Sequence, residues 1–224
     1  MTVPRTKDQA APKIVVFGAS GPTGQRIVAR ALEDGYRIVA ASRHPAAGRV
    51  QRPEVEVVSV DVVASHDLDQ LINGAVAVLS ALGSRGRRPT VVYSTGTQRI
   101  VEAMGRQGVR RLIGISSDGI DIPRGLPWPQ RLVMAQVIQR LYCHQYADMT
   151  SMEAYLETVP LDWTVVRVPR LTDGAPTGQT RVSLDGPILG SGSLRRADVA
   201  DFMLDAIDRS DTYRRRVHLG SPRK

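Results

Sequence analysis

The sequence predicts an α/β fold of the Rossmann type, with one doubly wound parallel sheet and helices on both faces. Two observations carry this prediction. Short apolar runs rich in β-branched residues alternate with segments of helical periodicity, and a glycine-rich turn joins the first run to the first helix. The 224 residues, 42% hydrophobic and 23% charged, have the composition of a globular chain with one core.

The first elements form a β-α-β unit. Residues 13–17 are an apolar strand, and apolar residues then recur at helical spacing until Asp34-Gly35 ends the helix. Residues 36–41 make the second strand. The alternation continues with elements predicted at residues 55–60 (strand), 67–72 (helix), 76–81 (strand), 90–105 (helix) and 112–115 (strand).

The second half of the chain begins with an irregular stretch. Three prolines and two glycines predict a loop over residues 118–130, and a long helix is expected from about 131 to 157. The remaining elements, which include a small C-terminal lobe expected to hold a substrate, are predicted at residues 163–168 (strand), 181–184 (strand), 197–207 (helix) and 217–219 (apolar patch).

The glycine-rich turn has the spacing G-x-x-G-x-x-G, with Gly18, Gly21 and Gly24 between the first strand and the first helix. A tight turn needs positive φ, and close approach of a diphosphate to the backbone leaves no room for a Cβ. The first amides of the helix then bind the diphosphate. We therefore expect a flexible N-terminal segment at 1–12 and a single NAD(P)-binding Rossmann domain at 13–224.

The end of the second strand indicates which dinucleotide is bound. An NAD-preferring site places an acidic residue there, whereas this chain has Arg43, whose planar guanidinium matches a 2′-phosphate. The expected cofactor is NADP(H); the less favoured alternative is that Arg43 is an ordinary surface arginine of a loop. Asp61 and Gly83 follow the third and fourth strands, on the adenine and ribose sides of such a crevice.

The usual acid–base pair of short-chain dehydrogenases, Tyr-x-x-x-Lys, is absent, because none of the six tyrosines has a lysine four residues later. The hydroxyl of Ser117 at the end of the fifth strand is the candidate hydrogen-bond donor to the substrate, unless it only satisfies backbone groups. Arg170 follows the next strand, where it would hold an anionic substrate or make a structural ion pair.

Charge and composition exclude several other classes. The net charge is +8, but the arginine clusters are dispersed with hardly any aromatics between them, so nucleic acid is not an expected partner. One cysteine and four histidines predict no metal site. No apolar run would span a bilayer and the start of the chain is polar. We expect a cytoplasmic protein, a monomer or weak homodimer, with a small-molecule substrate and no membrane partner.

Several motifs together carry a family resemblance. They are residues 14–24, Ser42-Arg43, Val60-Asp61-Val62, Ser80 to Arg85, Ile115-Ser116-Ser117, Leu161 to Pro169, Val182 to Gly186 and Arg196 to Leu204. With them the chain resembles the atypical short-chain dehydrogenases with an NAD(P)-binding, NmrA-like domain. Within these it is most similar to the sub-type of biliverdin-IXβ reductase, also called flavin reductase, from residue 13 to nearly the end.

The resemblance implies roles for individual residues. The diphosphate would be held by Gly18, Ser20, Gly21, Pro22, Thr23 and Gly24. The 2′-phosphate would meet Arg43 and Arg85, the adenine Asp61 and Val62, the ribose Leu82 and Gly83, and the nicotinamide Ser116, Ser117 and Pro169. Substrate contacts are expected from Ser117, Asp118, Trp128 and Arg170. Two departures, Arg170 in place of a histidine and a longer segment from Asp118 to Glu157, indicate a reshaped substrate pocket.

Three functions are compatible with these residues. The first is an NADPH-dependent reductase that transfers hydride to a flat conjugated acceptor, such as a flavin, quinone or tetrapyrrole, positioned with Ser117. The second is a ketoreductase, dehydratase or epimerase on a cyclic or polyketide-like substrate, with Tyr142 or Tyr146 as proton donor. The third is a redox sensor that binds NADP(H) and signals to a protein partner without turnover. The first is our leading hypothesis.

Overall fold

The computed structural model describes residues 11–45, 52–65, 67–84, 86, 88–122, 125–184 and 186–222. Ten strands are found in this part of the chain: β1 (Lys13–Phe17), β2 (Arg37–Ser42), β3 (Val55–Ser59), β4 (Ala75–Ser80), β5 (Arg111–Ser117), β6 (Asp162–Val168), β7 (Arg170–Thr172), β8 (Arg181–Ser183), β9 (Ser193–Arg195) and β10 (Arg215–Gly220). The helices are α1 (Pro22–Glu33), α2 (Asp69–Ile72), α3 (Ser94–Arg106), α4 (Trp128–Val133), α5 (Gln139–Leu141), α6 (Cys143–Thr158) and α7 (Arg196–Asp205).

Eight strands form one sheet in the order β3-β2-β1-β4-β5-β6-β10-β8. All neighbours pair in parallel except β10 and β8, which are antiparallel. The first six strands have the 3-2-1-4-5-6 order of a dinucleotide-binding Rossmann sheet. The predicted fold class, a single doubly wound α/β domain, is confirmed, with one antiparallel strand at an edge.

Helices cover both faces of the sheet because successive side chains of each strand point to opposite sides. Ile14 and Val16 face the layer of α1 and α7, while Val15 and Phe17 face the layer of α3 and α6. All four side chains are fully buried. The strands are therefore apolar on both faces, as a central parallel sheet requires.

The stretch after β5 differs from its prediction. The expected loop over residues 118–130 contains a 3₁₀ turn at Asp118–Ile120 and already enters α4 at Trp128. Pro127 is the N-cap residue of α4 and Pro129 lies in its first turn. Proline is tolerated there because the backbone N–H groups of the first turn have no partner within the helix. The expected single helix over 131–157 is also wrong, because a π-helical turn at Met134–Ile138 follows α4 and a break at Tyr142 separates α5 from α6.

The C-terminal lobe is built on strands that the sequence did not reveal. β7 and β9 pair in parallel as a separate two-stranded sheet, and each has only three residues, too few to show a period. A cavity of about 260 Å³ lies between this small sheet and the start of α7. None of the predicted site residues lines that cavity.

Candidate active site

Several of the predicted site residues lie at one edge of the sheet, because the central strands are parallel and all end there. The chain leaves β1 towards β2 on one side and places β4 on the other, so a crevice opens above β1 and β4. Gly18 follows β1, Arg43 follows β2 and Ser117 ends β5. Ser117 lies two strand spacings, about 10 Å, from the strand that carries the glycine turn.

The glycine turn is crowded by backbone at two of its three glycines. Gly18 has φ +76°, and a Cβ on it would overlap the carbonyl of Ala81, lying 2.6 Å from the carbonyl carbon. A Cβ on Gly24 would overlap the Gly18 carbonyl and lie 2.8 Å from Cα of Ala19. Side chains are therefore excluded at both positions by neighbouring backbone. Gly21 is different, since its φ of −72° is ordinary and it serves as N-cap of α1.

The N-terminus of α1 is free to bind an anion. No side chain caps it and no acidic residue lies in its first turn, so its amide groups and positive dipole end meet no competing carboxylate there. Pro22 opens the helix, and the carbonyl of Ser20 accepts the side-chain amide of Gln25 at 2.8 Å. Thr23 is half-buried in the same turn. This cradle fits the diphosphate of a dinucleotide.

The adenosine side of the crevice lies beyond β2 and β3. The side chain of Arg43 is exposed, and no carboxylate pairs with it among residues 11–45, 52–65 and the other described segments. The Asp61 carboxylate accepts the amide of Val63 at 2.9 Å, which fixes the turn after β3. Arg85, the other predicted phosphate ligand, lies outside the described residues.

Val62 and Leu82 pack together over a glycine of α3 that sequence reasoning missed. A Cβ on Gly96 would lie 2.9 Å from Cγ2 of Val62 and 3.1 Å from Cδ1 of Leu82. The absence of a side chain at this position lets the ends of β3 and β4 approach α3 closely. Val62 is buried, Leu82 is half-buried, and the neighbouring Gly83 is exposed. Val62, Leu82 and Gly83 thus lie beyond the carboxyl ends of β3 and β4, and their contacts with adenine and ribose stay a prediction.

Two hydroxyl groups meet at the end of β5. The Tyr146 hydroxyl lies near enough to Ser117 for the serine side chain to lower its pKa. It also lies so close to Gly119 that a Cβ there would overlap its oxygen. Ser117 Oγ accepts the Gly119 amide at 3.1 Å, and its own O–H group can still donate, either to the Tyr146 oxygen or to a substrate. The structure thus brings together two of the three predicted catalytic residues.

The environment keeps Tyr146 protonated. Burial raises the pKa of the Tyr146 phenol, the nearby Ser117 side chain opposes the rise, and nearby Tyr142 adds to it. The net pKa lies above the ordinary value for tyrosine. A phenol of this kind donates a hydrogen bond at neutral pH and does not act as a base.

Ser116 does not face the crevice, which differs from its predicted contact with the nicotinamide. Its side chain is 1% exposed and donates to Glu153 Oε1 at 2.7 Å. The reason is the alternation of side chains along β5, which sends Ser116 and Ser117 to opposite faces. Glu153 also accepts from Arg167 at 2.6 and 3.1 Å and from Arg216 at 2.6 Å.

The buried carboxylate of Glu153 is the centre of a network that ties α6 to β5, β6 and β10. Burial raises the pKa of Glu153, but the hydrogen bonds from Arg167 and Ser116 and the arginine charges outweigh it, so the net pKa lies below the usual glutamate value. The network was missed by sequence reasoning. The one available indication in the sequence was Glu153 itself, an acidic residue among the apolar residues of a predicted helix, since a buried glutamate normally has a partner.

The predicted substrate residues are dispersed. Asp118 is engaged by a buried histidine, since its Oδ1 lies 2.6 Å from Nδ1 of His218 on β10. Tyr142 is exposed and stacks on Tyr146, with ring centroids 5.8 Å apart. Trp128 is 77% exposed on α4, and Arg170 is exposed at the start of β7. Pro169, between β6 and β7, is half-buried.

Helix α6 also holds the loop between β4 and α3. Asp148 is buried and accepts the amides of Tyr93 and Ser94, at 2.9 and 3.2 Å, at the start of α3. Gln145 donates to the carbonyl of Gly86. Sequence reasoning missed both contacts, because they join residues far apart in the chain. They fix the loop that borders the crevice above β4.

Comparison with known proteins decides the family. A family model described as NAD(P)H-binding matches residues 18–210. The chain belongs to this NAD(P)H-binding family. The predicted dinucleotide cofactor and the resemblance to atypical short-chain dehydrogenases are confirmed at this level, whereas the flavin reductase sub-type stays a prediction.

Proteins similar to this chain are found both by sequence and by structure. An uncharacterized chloroplastic protein of Arabidopsis thaliana is 28% identical over 204 residues, which cover 87% of this chain and 71% of that protein. A short-chain dehydrogenase/reductase from Veillonella parvula, solved in complex with NADP, superposes with a TM-score of 0.78 at 18% identity, covering 95% and 96% of the two chains. An oxidoreductase from Lactococcus lactis gives a TM-score of 0.75 at 19% identity, covering 94% and 91%. At these identities the two solved structures establish the fold alone.

Proposed function

We propose that this protein is an NADPH-dependent reductase of a flat conjugated acceptor, such as a flavin, quinone or tetrapyrrole-like compound. The observation that carries the proposal is the Ser117–Tyr146 hydroxyl pair at the same sheet edge as the glycine turn. A dinucleotide laid along this edge extends from β2 past β1 towards β5. Its reactive end therefore comes to the two hydroxyl groups.

The preference for NADPH over NADH rests on Arg43. Its exposed guanidinium has no carboxylate partner among the residues described in the structure, so it is available for a 2′-phosphate at the end of β2. Arg85 is proposed as a second ligand of that phosphate. The NADP complex of the Veillonella parvula neighbour supports the same choice of cofactor for this fold.

The bound dinucleotide supplies a hydride, and the protein positions the acceptor and manages the proton. Ser117 and Tyr146 donate hydrogen bonds to the acceptor oxygen or nitrogen that gains electron density. Because burial keeps the Tyr146 phenol protonated, it can release its proton to that atom as the reduction proceeds. Arg170, exposed beside Pro169, is proposed to attract an anionic group of the acceptor.

A second candidate is reduction of an isolated carbonyl, the ketoreductase hypothesis. The contact of Tyr146 with Ser117 favours it, since a serine and a tyrosine can both donate to a carbonyl oxygen. The raised pKa of Tyr146 favours either reduction over an epimerase or dehydratase that begins with proton abstraction by this phenol. Tyr142, exposed and one helical turn away, is proposed to orient the Tyr146 ring by stacking.

The test combines cofactor binding with turnover. Purified protein is titrated with NADPH and NADH by calorimetry, and NADPH oxidation is then followed near ~340 nm with riboflavin, FMN, menadione and simple cyclic ketones. We expect turnover with conjugated acceptors. Tyr146→Phe should lower kcat by about 10²-fold to 10⁴-fold, the usual contribution of a positioned proton donor, and leave the Kd for NADPH unchanged.

Tyr142→Phe is the matched control, because it removes a hydroxyl from the same helical segment without touching Ser117. Its kcat should stay within about threefold of the parent, since the stacking ring is retained. Turnover limited to ketones would select the ketoreductase hypothesis. Tight NADPH binding without oxidation by any acceptor would contradict both reductase hypotheses and favour the sensor.

A further inference from the structure

We propose that the segment from Trp128 to Leu141, formed by α4, the π-helical turn and α5, docks on an anionic lipid surface. The first reason is the concentration of exposed apolar side chains in it. Trp128 is 77% exposed, and Leu132, Val133 and Val137 are each 53% or 54% exposed. Single exposed apolar residues are ordinary on a soluble protein, but a contiguous patch marks an interaction site.

The exposed side chains form two stripes along the helical segment. Trp128 and Leu132 are four residues apart, as are Val133 and Val137, so each pair lies along one stripe. The opposite side is also apolar, since Met134, Ala135, Ile138 and Leu141 are half-buried against the protein. A helix with apolar side chains on both sides is normally buried on both sides. The outer side of this segment is therefore expected to pack against another apolar surface.

The charge of the segment selects the kind of surface. Between Asp121 and Asp148 the chain has no acidic residue, while it has three arginines and a histidine there. Arg131 and Arg140 are exposed on the helical segment itself. Exposed tryptophan and leucine with flanking arginines and no acid are typical of helices that lie in the plane of a membrane and bind anionic headgroups.

The segment can lie on a membrane but has no means to cross it. None of the helices in the described segments of the chain is long and apolar enough to span a bilayer. Leu189, which is 50% exposed, extends the apolar patch, because a Cβ on Gly125 would lie 2.8 Å from its Cδ1. This proposal departs from the sequence-based expectation of no membrane partner.

The docking segment adjoins the proposed acceptor site. Gln139 donates to the carbonyl of Ile120 at 3.0 Å, three residues beyond Ser117, and Tyr142 stacks on Tyr146. Docking through Trp128 would therefore bring the Ser117–Tyr146 edge close to the lipid. This last consequence, entry of a lipid-dissolved acceptor, rests on the proposed function, whereas the docking itself does not.

Vesicle binding of the full chain tests the proposal. Sedimentation with phosphatidylcholine vesicles, with and without phosphatidylglycerol, should show binding that requires the anionic lipid and weakens as salt is added. The chain has two tryptophans, and Trp163 is 4% exposed, so a change in emission reports Trp128. We expect a blue shift on binding and quenching by brominated phosphatidylcholine.

Two double variants separate the apolar and the charged contributions. Trp128→Ser with Leu132→Ser should weaken vesicle binding more than tenfold, and Arg131→Glu with Arg140→Glu should weaken it by at least fivefold for each arginine. The matched controls are Val76→Ser and the double variant Arg37→Glu with Arg215→Glu, which change exposed residues at the amino ends of β2, β4 and β10. The controls should bind vesicles within about threefold of the parent.

Failure of docking is distinguishable from failure of the proposed function, because NADPH binding is measured separately on each variant. Absence of binding to anionic vesicles would overturn the proposal, as would equal losses in the controls. A concentration-dependent dimer that shields Trp128 without any vesicle binding would also overturn it, and would assign the patch to a second copy of the chain.

Discussion

The nucleotide half of the crevice and the substrate half are built in different ways. The diphosphate cradle consists of residues 18–24, and its shape comes from backbone crowding, within the turn at Gly24 and against the Ala81 carbonyl at Gly18. In the substrate half, the partners come from distant parts of the chain: 100 residues separate His218 from Asp118, and 63 separate Arg216 from Glu153. Binding a phosphate needs local backbone amides, whereas holding a proton donor in place needs side chains from several elements.

The two halves also differ in electrostatics. The start of α1 has no acidic residue in its first turn, so its dipole meets no competing charge there. Behind the substrate half, a carboxylate 2% exposed is surrounded by two arginines and a serine. We expect mutations to separate these halves, one through cofactor affinity and the other through stability.

The largest effect is expected from Glu153→Ala. It leaves Arg167, which is 7% exposed, without its buried partner, and breaking a buried pair in this way costs about 3–5 kcal/mol of unfolding free energy. Urea denaturation measures the loss. Glu157→Ala is the matched control: this glutamate also pairs with Arg216 but is 54% exposed in its side chain, so less than about 1 kcal/mol should be lost. Equal losses would contradict the network.

The same network predicts an acid sensitivity. Because the folded-state pKa of Glu153 is lowered, its contribution to stability is complete above the unfolded glutamate pKa of about 4.3 and is lost as the pH falls below that value. Glu153→Gln should flatten the fall of stability below about pH 4. An unchanged acid profile would show that other carboxylates dominate.

The next largest effect is expected from Gly24→Ala in the nucleotide half. The added methyl group meets backbone atoms of Gly18 and Ala19 that cannot rotate away, and overpacking of this kind costs about 1–3 kcal/mol. The displaced turn should lower NADPH affinity about 100-fold. Gly105→Ala is the control, since nothing lies within 4 Å of its Cβ and it should stabilise α3 by about 0.5–1 kcal/mol.

A smaller and more selective effect is expected from Arg43→Glu. Loss of a charge-assisted contact to the 2′-phosphate should weaken NADPH binding by about 10-fold to 100-fold, while NADH binding changes by less than about threefold. Calorimetric titration with both dinucleotides measures the difference. Equal weakening of NADPH and NADH would remove Arg43 from the 2′-phosphate site.

The smallest effect is expected from Ser116→Ala. This substitution tests whether Ser116 on β5 belongs to the buried Glu153 network or to the cofactor site. The structure predicts a loss of about 1 kcal/mol in stability, because one hydrogen bond to Glu153 is removed, with unchanged NADPH affinity. A contact with the nicotinamide would give the opposite pattern, weaker NADPH binding at nearly constant stability. The adjacent Ser117→Ala should lower kcat instead.

Much of the fold could be predicted from the sequence because the sheet is made of buried parallel strands whose apolar runs are continuous. The glycine turn was predictable for a related reason: its three glycines and the uncapped start of α1 lie within seven consecutive residues, although the crowding at Gly18 comes from the distant Ala81. The course of residues 118–142 was not. Pro127 and Pro129 there indicate a loop by composition, yet they begin a helix.

The candidate catalytic residues show the same division. The chain alone identified Ser117 by its place after a strand, and named Tyr142 and Tyr146 as alternatives without choosing between them. Packing of α6 against β5 makes the choice, because it places the half-buried Tyr146 beside Ser117 and leaves Tyr142 exposed. Tyr142 and Tyr146 are one helical turn apart, so helical periodicity alone does not distinguish which of them meets Ser117.

The sequence by itself determined the central parallel strands, the glycine turn and the dinucleotide it binds, since each is visible in a local spacing of residues or in continuous apolar runs. Only the tertiary structure decided which hydroxyl meets Ser117, that Ser116 belongs to a buried ion network, and that Trp128 faces outward. These outcomes depend on how helices and strands pack across long separations, and the free energy of such packing depends on both partners at once.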